Sequence, residues 1–155
     1  MISQTEQIHG RVEQGLATVF PQLAWVPDTL IPEDEELGMP SATQAGLQDK
    51  LLPQALRARD DLIDAFVSAL KRLPAEAPTD PLQALYDLGD DFHLVGHLIA
   101  GSYFLSKDVC EKLGYTGQQA MAYEPDYDEI TDTAERIIGR GAVYVDPQTG
   151  ARAKS

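Results

Sequence analysis

The residues best spaced for chemistry are His93 and His97, four apart in a segment whose apolar pattern is helical. At that spacing two imidazoles project from one helix face. They could share a metal ion, with Asp90 or Asp91 as a carboxylate ligand. The set stops there. Leu94 rather than glutamate follows His93, so this is not a zinc-protease helix, and His9 is remote in sequence. Two histidines on an apolar helix are also common as hydrogen-bonded core groups or interface contacts, and both readings stay open.

Cys110 would need a neighbouring base or positive charge to become a nucleophilic thiolate. Lys107 and Lys112 are near in sequence, but Asp108 and Glu111 offset them and Val109 is apolar, which favours an inert, buried thiol. Asp126, Asp128 and Glu129 gather three carboxylates, yet they lack the alternating spacing and turn glycine of a calcium loop. They read as a solvated acidic loop, as do Glu33 to Glu36. No glycine-rich phosphate loop and no serine-nucleophile motif is present. No residue is assigned a catalytic role, and the chain reads as a non-enzyme.

Charge narrows the partners. The 155 residues carry 25 acidic and 12 basic side chains, a formal net charge of -13. Phosphate backbones and anionic membranes select clustered Lys and Arg. In this chain Arg57, Arg59, Lys71 and Arg72 are scattered, so neither partner is expected. Excess acid keeps a protein soluble and can also steer it to a basic patch on another protein. One cysteine excludes an internal disulfide. The most apolar run, 94–105, is shorter than the roughly 20 residues a spanning helix needs. The N-terminus shows no basic patch leading into an apolar run, so no signal peptide is expected.

The elements that must position these residues are helical, and the fold class expected is all-α. About five helices should pack around one core in a single domain, 1–150, with 151–155 as a flexible tail. Ile8, Val12, Leu16, Val19 and Phe20 mark one face of a first helix that Pro21 closes. An irregular, acidic, proline-rich connector occupies 21–41, with 29–31 as a candidate single turn. Ser41 can cap a helix over 42–52. Leu56, Ile63, Phe66, Val67 and Leu70 stripe a helix over 53–73. Asp80-Pro81 then starts the most apolar helix, 81–105, whose second half should be largely buried. Asp108 with Glu111, and Asp132 with Glu135, match capping boxes for two further helices. The last of these carries Ile130, Ala134, Ile137 and Ile138. Residues 142–145 suggest a short extended piece before a turn at 147–150.

Three stretches resemble the gluconate 2-dehydrogenase subunit 3 family. The first is Thr29-Leu30-Ile31-Pro32-Glu33-Asp34 with Gly38-Met39-Pro40-Ser41-Ala42-Thr43-Gln44-Ala45-Gly46. The second runs from Gly101-Ser102-Tyr103-Phe104-Leu105 to Leu113-Gly114-Tyr115-Thr116-Gly117-Gln118, and the third is Arg140-Gly141-Ala142-Val143-Tyr144. The resemblance spans roughly residues 22–145. It implies a non-catalytic small subunit that binds and stabilises a larger FAD-dependent oxidoreductase of the glucose-methanol-choline type, acting on a sugar or alcohol. It implies no cofactor in this chain and FAD in the partner. Some members carry a twin-arginine export signal. No Arg-Arg pair precedes an apolar run in this sequence, so the location implied is cytoplasmic, or periplasmic if the chain travels with its partner.

The tyrosines concentrate in the C-terminal third, and tyrosine suits interfaces because it buries area while keeping a polar handle. Tyr103, Tyr115, Tyr123, Tyr127 and Tyr144 are therefore expected partner-binding residues, together with Gln118 of the Tyr/Gln/Gly-rich loop, which is poor core material and suits docking. Two alternatives remain beside the flavoprotein subunit. One is a metal-binding helical protein using His93 and His97; the other is a self-associating helical scaffold.

Overall fold

The computed structural model describes residues 3–118, 124–141, 145 and 148–151. The chain divides into two compact units, Met1–Gly117 and Gln118–Ser155. The architecture is all-α. β pairing among the described residues is confined to isolated bridges, such as the antiparallel one between Asp34 and Met39. No helix among them is long and apolar enough to cross a membrane.

The first unit opens with α1, Gln4–Thr18. Ser3 and Glu6 form a capping box: the Ser3 hydroxyl accepts from the Glu6 amide, and the Glu6 carboxylate accepts from the Ser3 amide at 2.8 Å. These bonds to Ser3 hold the Glu6 carboxyl below its ordinary value. Val12 and Val19 are buried as their spacing predicts, whereas Phe20 is 61% exposed. The chain leaves the α1 trajectory at Val19 (φ -121°, ψ 16°), which turns Phe20 off the stripe.

The connector is more ordered than its prolines suggest. Pro21 and Pro27 sit in the first turns of two short helices, α2 (Phe20–Leu23) and α3 (Val26–Leu30). Proline's missing donor costs nothing there, because the first amides of a helix lack partners anyway. Distant bonds fasten the segment. Gln22 Nε2 donates to the Leu73 carbonyl at 3.1 Å, and Trp25 Nε1 donates to that of Pro74 at 3.3 Å. Ser41 and Gln44 form a second capping box, but instead of the expected helix the chain makes a turn there. A π-helical segment, Leu47–Leu51, then leads into α4, Leu52–Ala58.

The helix expected over 53–73 is broken. Arg59 adopts φ -126° and ψ 58°, a 3-10 turn occupies Asp60–Leu62, and α5 runs Ile63–Lys71. Arg59 reaches Asp61 at 2.8 Å, a local bond available only once the helix has stopped. Arg11 of α1 meets Asp64 at 3.2 Å from across the packing. The helix expected over 81–105 is broken as well. Asp80 caps α6, Pro81–Tyr86, with its carboxylate accepting from the Gln83 amide at 3.0 Å. Gly89 at φ 64° and ψ -127° then redirects the chain into α7, Asp90–Tyr103. That conformation is open mainly to glycine. α7 is the central helix, packing on α4, α5 and α3.

The short helix α8, Lys107–Lys112, is capped by Ser106, two residues before the expected Asp108. The core of this unit joins Phe66, Leu47, Leu52, Leu56, Leu70, Leu85 and Ile99, all fully or almost fully buried. Burying a side chain of that size contributes about 1.5–3 kcal/mol each, enough to offset the weak local signals of the short helices.

The second unit contains α9, Tyr127–Arg140. It is capped by Asp126, six residues before the expected Asp132, and that carboxylate takes the amides of Asp128 and Glu129 at 3.1 and 3.0 Å. All of its residues are exposed. Of the other sequence expectations for this unit, the extended piece at 142–145 and the tail at 151–155 lie outside the described residues apart from Val145 and Ala151.

Candidate functional site

The end of α7, the helix α8 and the turn after it form the most functional-looking surface of the first unit. Ser106 redirects the chain, and its side chain starts α8. Val109 is the anchor, fully buried in the core. Gly114 at φ 71° closes α8, letting the Tyr115 amide return to the Cys110 carbonyl at 2.8 Å. With the backbone turned this way, Phe104, Leu105, Leu113 and Tyr115 are left on the surface, Tyr115 at 59% exposure. Beside Tyr115 lies an open recess of about 480 Å³ whose lining includes Lys107, Cys110, Thr116 and Gly117.

Tyr103 has a different fate from its neighbours. It was expected at a partner interface, but it is only 4% exposed. Its hydroxyl donates to the Pro40 carbonyl at 2.7 Å, tying α7 to the connector. Burial pushes its phenol above the ordinary value. Tyr103 is thus a core residue that fixes the acidic turn. Lys112 of α8 completes the attachment, its Nζ donating to the Gly38 carbonyl at 2.6 Å. The acidic turn at Glu33 to Glu36 is accordingly held from two helices while its carboxylates stay exposed.

The remaining interface residues separate. Tyr115 and Gln118 are exposed, and Tyr127 is exposed in the second unit on α9. Tyr123 and Tyr144 lie outside the described residues. Phe104 lies in the half of the 81–105 helix expected to be largely buried; it is 54% exposed because α7 ends at Tyr103 and the chain turns there. Exposure of Phe104, Leu105 and Leu113 carried no sequence signal beyond the pairing of an apolar helix end with Ser106, a residue that can restart a helix.

His93 and His97 do share one face of α7, their rings stacked with centroids 6.3 Å apart, and both are exposed. Phe92 stands 5.9 Å from His93, and Tyr86 lies 5.0 Å from Phe92, so the imidazoles extend an aromatic strip. Asp91, one of the two carboxylates considered with them, is engaged by Arg72 at 2.5 Å. Among the described residues, no three or more His, Cys, Asp or Glu side chains converge as a metal site. The Cys110 thiol is half-buried rather than enclosed and donates to the Phe104 carbonyl at 3.1 Å.

In comparisons with protein families, curated proteins and solved structures, nothing matches this chain. The class defined by fold is therefore an all-α protein with an exposed apolar end on its first unit and an exposed amphipathic helix in its second.

Proposed function

We propose that the chain is a non-catalytic small subunit that binds and stabilises a larger FAD-dependent oxidoreductase of the glucose-methanol-choline type, with a sugar or alcohol as that enzyme's substrate. One observation carries the reading. The segment 101–118, the stretch whose wording resembles the small-subunit family, leaves Phe104 and Leu105 exposed before α8 and Leu113 and Tyr115 exposed after it. Exposed aromatic and aliphatic side chains, with Tyr115 lining a recess, are the usual makings of a protein-binding hot spot. The formal charge of -13 complements a basic rim on the partner. FAD belongs to the partner in this reading, and this chain contributes surface alone.

The test is co-purification from the source cells with a tagged full-length chain. The expected product is a complex with a larger protein showing flavin absorbance, while the isolated chain leaves FAD fluorescence unchanged. Leu113→Asp is expected to remove the partner without altering the helical circular dichroism of the chain. A yellow isolated chain, or a flavoprotein that copurifies equally with Leu113→Asp, would refute this surface or this role.

A further inference from the structure

We infer that α9 is a self-pairing helix, its apolar stripe covered by the α9 of a second copy running antiparallel. The inference goes beyond the flavoprotein reading and does not rest on it, since it concerns only the second unit. Tyr127, Ile130, Ala134, Ile137 and Ile138 fall at helical intervals on one face, and none is buried. Ile138 is 77% exposed and Tyr127 is 72% exposed. A helix of 14 residues is marginal in water without a covering surface.

Charge selects the occupant. The N-terminal end carries Asp126, Asp128, Glu129 and Asp132, whereas the C-terminal half carries Arg136 and Arg140 against the single acid Glu135. Among the described residues, none of these seven forms an ion pair. Two such helices laid antiparallel set the acidic end of each beside the basic end of the other; a parallel pair would place acid on acid. The stripe has the same symmetry. Ala134, its smallest member, is at its middle, with Ile130 and Ile138 equidistant on either side. Antiparallel packing about Ala134 lets the two backbones approach there and sets each Ile130 against Ile138 of the second copy. The surface on each helix is only about 20 Å long at 1.5 Å per residue. That is less than a standard stable interface covers, and the formal charge of -13 on each chain opposes association. The dimer is therefore a weak, concentration-dependent one.

Sedimentation equilibrium of the full chain over a wide concentration range tests this. A monomer–dimer equilibrium is expected, with Ile137→Glu weakening it by roughly tenfold or more. That variant could also simply lose the helix, so a charge exchange supplies an independent reading. Arg136→Glu with Arg140→Glu makes one all-acidic helix, and Asp128→Lys with Glu129→Lys makes the other basic. Each variant alone should self-associate less than the parent, and mixing the two should restore dimer. Orientation is read in a Cys110→Ser background: Ala134→Cys should form a disulfide-linked dimer readily and Tyr127→Cys should not. The inference is overturned if the chain stays monomeric throughout, if mixing restores nothing, or if Tyr127→Cys cross-links as fast as Ala134→Cys. A monomer that binds phosphatidylcholine vesicles through α9 would overturn it equally.

Discussion

The two units use hydrophobic residues in opposite ways. In the first, helices as short as α2, α3 and α6 persist because each contributes one or two side chains to a shared core: Leu23, Val26 and Leu85 are all essentially inaccessible. In the second, α9 has the cleanest apolar stripe of the chain and buries none of it. Local pattern and burial are thus different properties. Pattern says which face needs covering, and only the surrounding chain supplies the cover. The sharpest test of the contrast is truncation at equivalent depth of pattern. Phe66→Ala should cost about 3–5 kcal/mol in chemical denaturation. Ile130→Ala in α9, measured at low concentration, should stay within about 0.5 kcal/mol. Comparable losses at the two sites would show that the α9 stripe is buried in solution.

How much of this was legible depended on whether the signal was local. The all-α class and the stripe Leu56, Ile63, Phe66, Val67 and Leu70 follow from periodicity. The breaks did not. Arg59 looked like an ordinary solvent-facing position in a helix, and the stop there accompanies the packing of both α4 and α5 on α1, with the Arg59–Asp61 bond following from it. Gly89 was visible as a glycine, yet the sequence holds no sign of whether it kinks a helix or ends it. Tyr103 shows the same limit at the site. Its composition suited an interface, and the carbonyl that holds it inside belongs to Pro40, 63 residues away in sequence. Exposure of Phe104 and Leu105 was illegible for the converse reason: an apolar run signals burial unless the chain turns, and α7 ends at Tyr103 with the chain turning just after it.

The next effect probes that long-range tie. Tyr103→Phe keeps the ring and removes the bond to Pro40, so the expected loss is about 1 kcal/mol. The pH dependence has a definite sign. Burial raises the Tyr103 pKa in the folded chain, so its contribution is fully present below the ordinary tyrosine value and is lost as pH rises through the folded value. Alkaline titration combined with denaturation should show the parent losing stability in that window and Tyr103→Phe losing less. Identical alkaline curves would place the phenol in water.

Caps offer a comparison of similar size between the units. Asp126→Ala removes the acceptor for two amides of α9, with an expected cost near 1 kcal/mol to that helix. Because α9 has no buried face to hold it, the loss should appear directly as reduced helical circular dichroism. Ser3→Ala removes the corresponding acceptor from α1, whose Val12 anchors it, so α1 should fray at its first turn only. The Glu6 half of the same box titrates in the opposite direction from Tyr103. Its folded value is lowered, so its contribution is present above the ordinary carboxyl value and fades as pH falls through the folded one. Amide-exchange protection at Ser3 and Glu6, taken relative to the intrinsic exchange rate at each pH, should fall on acidification and stay level in Glu6→Gln.

The smallest expected effect separates a helix packed on its own unit from one that is not. Alanine in place of a helical glycine gains up to about 1 kcal/mol from backbone entropy where nothing obstructs the added methyl. Gly139 of α9 has open space at that position, so Gly139→Ala should raise α9 helicity and leave the unfolding midpoint of the first unit unchanged. Gly15 of α1 is confined instead: an added Cβ would lie 3.2 Å from Val67 Cγ2 and 3.5 Å from Ile63 Cγ2. The first distance is tighter than an easy contact, so the entropic gain and the crowding should leave Gly15→Ala within about 0.5 kcal/mol of neutral. Val67→Ala removes the crowding methyl at its own cost, and in that background Gly15→Ala should turn stabilising. A double-mutant cycle reads this as favourable coupling. Additive effects would mean that α1 and α5 are held less closely than the rest of the first unit, and the contrast with α9 would narrow to the core proper.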